Sequence, residues 1–124
     1  MGKGKTILVV DDDPETRTML REMLEPQGYA VVLAEDGVEA LNKLEKSKFD
    51  LVLMDLAMPR MDGIQATREI RLRSYGSKLP VVAISAHTSG TAEEEAFDAG
   101  MDGYLRKPFT RDLILLEIRR QFGG

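Results

Sequence analysis

The chain has 124 residues, 43% hydrophobic and 31% charged, with a net charge of −4 and no cysteine. That suits one domain with its own core. It excludes disulfides and thiolate metal sites, and it argues against a broad electrostatic grip on nucleic acid.

No apolar run approaches the length of a membrane span. The basic start Met1-Gly-Lys-Gly-Lys5 is not followed by a signal-peptide apolar region. The expectation is a soluble cytoplasmic domain with no membrane span and no direct nucleic-acid binding.

In chain order, Ile7-Leu-Val-Val is the first apolar run and reads as a buried parallel strand. Asp13-Pro14 opens a helix, with Glu15 at its positive end and Thr16, Met19, Leu20, Met23 and Leu24 as its stripe. Pro26 and Gly28 stop it. Tyr29 to Ala34 reads as a second strand. Asp36 caps a helix carrying Val38, Ala40, Leu41 and Leu44. Phe49 to Met54 is a third strand. A loop through Pro59 and Gly63 leads to a helix with Ile64, Ala66, Thr67 and Ile70. Pro80 begins a fourth strand, Val81 to Ile84. Thr91 to Ala99 forms a helix closed by Gly100, Gly103-Tyr-Leu105 a short fifth strand, and Thr110 caps a last helix ending near Phe122. Strict alternation of this kind implies an α/β fold, a parallel sheet covered by helices on both faces. One domain spanning 1–124, with a core of about 5–122 and no output domain, is expected.

Several strands end in residues able to meet a phosphate or a metal. Asp11, Asp12 and Asp13 follow the first strand, Asp55 the third, Ser85 the fourth and Lys107 the fifth. Ligands bind at the carboxyl ends of strands in open α/β sheets. A lone Asp there is usually a turn residue. Three in a row beside a fourth form an all-oxygen set that suits Mg²⁺. Asp55 is the candidate nucleophile toward phosphorus, forming an acyl phosphate. Lys107 would neutralise charge and Ser85 would donate to a phosphoryl oxygen.

Asp11-Asp12, Val52-Leu-Met-Asp55-Leu-Ala-Met-Pro59-Arg-Met-Asp-Gly63, Ile84-Ser85-Ala86 and Lys107-Pro108-Phe109 resemble the receiver domain of two-component response regulators, from Lys5 to Phe122. The resemblance implies a (βα)5 flavodoxin-like sheet of order 2-1-3-4-5. It implies Asp55 as phosphoacceptor, Mg²⁺ on Asp12, on Asp11 directly or through water, on Asp55 and on the Ala57 carbonyl, Lys107 at the phosphoryl group, and a cis Lys107-Pro108 bond. A histidine kinase or histidine phosphotransfer protein would be the donor. Ser85 would then move, Tyr104 would turn inward, and the face of the fourth helix, fifth strand and fifth helix would change shape. The chain would be a phosphoacceptor switch, stand-alone or part of a hybrid kinase, and not an enzyme.

Ala57 and the sole histidine, His87, stand two residues after Asp55 and Ser85; the resemblance implies that these positions influence how water reaches an acyl phosphate, and they are expected to tune its lifetime. On the last helix Ile114, Leu115, Ile118 and Phe122 share one face, while Leu113 and Leu116 point away and suggest a homodimer or effector contact. Two rival readings are a haloacid-dehalogenase-like phosphatase, suggested by Asp11-x-Asp13 but with Glu15 out of pattern and a later acidic motif missing, and a receiver-like scaffold that takes no phosphate. Gly2-Lys-Gly-Lys5-Thr6 ends like a P-loop but precedes a strand, not a helix.

Overall fold

Each short apolar run forms a strand and each amphipathic segment a helix in the structure, a computed structural model that describes residues 4–86 and 90–123. The elements are β1 (Thr6–Val10), α1 (Pro14–Leu24), a 3₁₀ turn (Glu25–Gln27), β2 (Ala30–Ala34), α2 (Gly37–Lys46), β3 (Leu51–Asp55), α3 (Gly63–Leu72), β4 (Val81–Ser85), α4 (Gly90–Asp98), β5 (Gly103–Arg106) and α5 (Arg111–Gln121). All strand pairs are parallel, in the order β2-β1-β3-β4-β5. This is the flavodoxin-like order, with its switch point between β1 and β3.

Strand side chains alternate between two faces, and the core divides accordingly. Ile7, Val9, Leu51, Leu53, Val82 and Ile84 pack against Leu20 and Leu24 of α1 and against Ile114, Leu115 and Ile118 of α5. Leu8, Val10, Val52, Met54, Val81 and Ala83 pack against α2, α3 and α4 through Ala40, Leu41, Leu44, Ala66, Ile70 and Ala96. With both faces covered, β3 and β4 are buried along their whole length, which is why they read as unbroken apolar runs.

Asp13, Asp36 and Thr110 start helices as the sequence suggests, and Asp62 does so unforeseen. Asp13, Asp36, Asp62 and Thr110 each accept a hydrogen bond from a backbone N–H of the helix they start, worth about 1 kcal/mol apiece. Gly100 ends the α4 segment with φ 107°, a left-handed backbone that glycine adopts without strain. At the amino ends of the strands Arg71 ties three segments together. Its guanidinium donates to the carbonyls of Gly76, Leu79 and Gly100 and to Asp102 Oδ2.

A few sequence expectations shift. Tyr29 and Phe49 lie before their strands, because pairing starts where Ala30 N–H meets the Lys5 carbonyl and where Asp50 bonds Thr6 through both its N–H and its carboxylate. Met19 is 38% exposed, so the buried line of α1 is Leu20 and Leu24. The Lys107-Pro108 bond is cis.

Candidate functional site

Register brings the chemistry together. Val10 pairs with Met54, so Asp11 and Asp55 emerge side by side at the switch point. Asp55 pairs with Ile84, so Ser85 lies one residue further along on the neighbouring strand. Ser85 pairs with Arg106, and Lys107 N–H donates to the Ser85 carbonyl at 2.8 Å. Asp11, Asp55 and Ser85 are buried, while Asp12 is exposed. Carboxylate oxygens of Asp11, Asp12 and Asp55 lie within 4.8 Å of one another.

Both Asp11 oxygens are engaged. Oδ1 accepts the Asp13 N–H at 2.9 Å and Oδ2 accepts Lys107 Nζ at 2.7 Å. The backbone of Asp11 is also pinned. Its N–H donates to the Ala34 carbonyl at 3.1 Å, and its carbonyl accepts Arg17 Nη1 at 2.7 Å. Lys107 Nζ stands 3.6 Å from Asp55 Oδ1, an ion-pair distance rather than a hydrogen bond. Burial works against the Lys107 charge, but the Asp11 hydrogen bond and the Asp55 charge outweigh it and raise its pKa. Asp55 responds oppositely. Burial first, then the Asp11 charge, push its pKa up to about 7 against the pull of Lys107 and of the Ala57 N–H. Crowded, partly desolvated carboxylates of this kind favour a cation.

The loop after Asp55 is shaped by close contact. Gly63 N–H donates to the Leu56 carbonyl at 2.9 Å. A Cβ on Gly63 would strike the Asp55 carbonyl and approach Met54 Cγ at 2.9 Å. Glycine is therefore required where α3 starts against the end of β3.

Asp13 takes no part in the cluster. Its carboxylate accepts the Glu15 N–H and the Thr16 hydroxyl, at 3.2 and 2.7 Å. This removes the second acid of the Asp-x-Asp phosphatase reading. The Ala57 side chain is exposed. Tyr104 is half-buried, packs against the α2–α4 core and pairs in register with Ala83, two residues before Ser85 on the same strand face. His87 lies outside the described residues. Arg17 and Arg60 were not foreseen. Their pairing with the Asp11 carbonyl and with Asp36 is not marked by any local pattern, because each contact depends on how loops fold back in space.

Among the described residues no helix is long and apolar enough to cross a membrane. The response regulator receiver domain model matches residues 7–119. The chain is 44% identical over 113 residues to response regulator MprA of Mycobacterium sp. (strain KMS), covering 91% of this chain and 48% of that protein. It thus spans about half the length of the curated relatives it matches. The receiver domain of sensor histidine kinase PA1611 from Pseudomonas aeruginosa PAO1, solved with a magnesium ion coordinated in its active-site cleft, superposes with a TM-score of 0.91 at 38% identity, covering 98% of this chain and 99% of that one. Chemotaxis protein CheY4 of Vibrio cholerae superposes with a TM-score of 0.90 at 34% identity, covering 94% and 97%. Receiver domains take phosphoryl groups from histidine kinases, and the acidic pocket of Asp11, Asp12 and Asp55 is consistent with magnesium-dependent phosphorylation of an aspartate. Strand order, acidic cluster and likeness agree: the chain belongs to the response regulator receiver domain family of two-component signalling, a phosphoacceptor switch rather than a true enzyme.

Proposed function

We propose that the chain accepts a phosphoryl group on Asp55 from the phosphohistidine of a histidine kinase or histidine phosphotransfer protein, with Mg²⁺ held by Asp11, Asp12, Asp55 and the Ala57 carbonyl. The carrying observation is the convergence of the three carboxylates within 4.8 Å, with the Lys107 ammonium 3.6 Å from Asp55. The donor set is all oxygen and partly buried, which fits a hard cation. When bound, the ion supplies positive charge that keeps Asp55 ionised at neutral pH and screens an incoming phosphoryl group.

An Asp55 oxygen attacks phosphorus. The P–N bond to the donor imidazole breaks, and the nitrogen leaves with the bonding pair and takes up a proton as neutral imidazole. Lys107 attracts the phosphoryl oxygens and the Ser85 hydroxyl donates to one of them. Movement of Ser85 frees space for Tyr104, and the α4-β5-α5 surface changes with it. A cleft of about 400 Å³ lined by Thr16, Met19, Ala86, Lys107, Pro108 and Phe109 adjoins the site and supports docking of a protein donor.

The experiment is phosphorylation with labelled acetyl phosphate and with a phosphorylated histidine kinase, each with Mg²⁺. Label should sit on Asp55, disappear in Asp55→Asn and require the divalent cation. Label on Asp11, or none at all, defeats the reading. Ala57 and His87 are proposed to set the lifetime of the acyl phosphate. Unchanged dephosphorylation in both Ala57→Asn and His87→Ala defeats that part.

A further inference from the structure

The loop from Leu56 to Asp62 carries Ala57, two residues beyond Asp55, where its N–H draws the carboxyl pKa of Asp55 down. At its tip Met61 N–H donates to the Pro59 carbonyl at 2.7 Å, and Arg60 between them has φ 63°. An i→i+2 bond around a residue with positive φ marks a γ-turn of the rare, strained hand. Glycine sits there without cost; arginine does not. Such strain persists where the surroundings over-determine it.

Those surroundings are the start of α2. Arg60 Nε donates to Asp36 Oδ2 at 2.8 Å, and Nη2 lies at ion-pair distance, 2.7 Å, from the same oxygen. Asp36 is 5% exposed, and its other oxygen accepts the Glu39 N–H at 2.9 Å as the cap of α2. Gly37 N–H donates to the Met61 carbonyl at 3.2 Å, and a Cβ on Gly37 would come within 2.7 Å of that oxygen. The loop is therefore closed at its base by Gly63 on Leu56 and bolted at its tip to a helix end, with Ala57 on the limb between.

We propose that Arg60 is a positioning residue for the phosphoryl site, its pair with Asp36 holding the tip of the β3–α3 loop so that the Ala57 peptide stays set beside Asp55. The role concerns geometry more than stability, because the Arg60 side chain is 63% exposed and a pair so placed contributes little to folding. A shift of well under 1 Å in a group that orients a reacting carboxylate changes its chemistry more than it changes folding. The inference rests on the proposed role of Asp55.

The test uses the full chain as wild type, Arg60→Ala, Arg60→Gly and Asp36→Asn. Asparagine still caps α2 but drops the charge that Arg60 holds. Glycine removes the side chain and relaxes the turn. Amide exchange of Ala57 and Mg²⁺ affinity are both read by NMR, beside urea midpoints. Each variant should speed Ala57 exchange by about ten-fold and weaken Mg²⁺ binding by about three- to ten-fold. The double variant Arg60→Gly/Asp36→Asn should be no worse than either single one. Unchanged Ala57 exchange in both Arg60→Gly and Asp36→Asn overturns the proposal, as does a change confined to the urea midpoint. A wild type that takes neither Mg²⁺ nor phosphoryl group counts against the role of Asp55 instead, and the Ala57 readout then decides the positioning on its own.

Discussion

Lys107 Nζ is 2.7 Å from Asp11 Oδ2 and 3.6 Å from Asp55 Oδ1. The ammonium is thus hydrogen-bonded to a carboxylate of the proposed metal site and only ion-paired to Asp55, the proposed phosphoacceptor. It neutralises part of the acidic cluster while leaving the Asp55 carboxylate without a hydrogen bond from Lys107.

Lys107→Met should therefore act on stability as well as on chemistry. Removing one member of a partly buried ion pair leaves the other uncompensated, and with Asp12 exposed to solvent the loss at pH 8 should be about 1–3 kcal/mol. Urea unfolding with and without Mg²⁺ checks this. The cation should recover part of the loss, and equal midpoints for variant and wild type without Mg²⁺ would show the pair to be inert.

Stability should also depend on pH through Asp55. Its folded pKa is pushed up to about 7, above the ordinary carboxylate value of 3.8 expected when unfolded. Between those values the folded protein holds a proton that the unfolded chain has lost. Stability contributed by this group is therefore full below about pH 4, falls as pH rises, and is gone above about pH 7. Asp55→Asn should match wild type near pH 4 and exceed it at pH 8 by on the order of 1–3 kcal/mol. Thermal melts free of divalent cation measure the difference. Added Mg²⁺ should narrow the gap at pH 8 by binding the wild type.

Gly63→Ala should damage fold and site together. The new Cβ would collide with the Asp55 carbonyl, a backbone group that cannot swing aside. Overpacking of this kind typically costs about 1–3 kcal/mol, and the displaced end of β3 should weaken Mg²⁺ binding. A Gly63→Ala protein with wild-type metal affinity and melting temperature would refute the contact.

On α5 the two sides should separate cleanly. Ile118 is fully buried, so Ile118→Ala should cost about 2–4 kcal/mol. Leu113 and Leu116 are 52% and 61% exposed; Leu113→Lys/Leu116→Lys should leave stability within about 0.5 kcal/mol. We propose this outward pair as a contact for a second copy or an effector. Light scattering and effector binding should weaken in the double variant; unaltered association would dismiss the contact.

Much of this architecture is legible in the sequence. Runs such as Val81 to Ile84 read as strands because burial on both faces leaves no polar position in them. The caps at Asp36 and Thr110 were legible because a short polar side chain just before an apolar stripe has one efficient use. The division of Ile114, Leu115 and Ile118 from Leu113 and Leu116 followed from helical spacing. Arg60 was not legible, since its neighbours in sequence give no hint of a strained turn or of a partner 24 residues away.

The sequence by itself determined the alternation of strands and helices and the acids, hydroxyl and lysine at the strand ends, because hydrophobic periodicity and chain reversal are local properties of a few residues. Tertiary structure alone decided how those groups share their charges. It joined Lys107 to Asp11 across 96 residues. It also raised the pKa of Asp55 by burying it among like charges. Such outcomes depend on distance and desolvation in the assembled sheet, where ångström differences in register choose the partner of each charge.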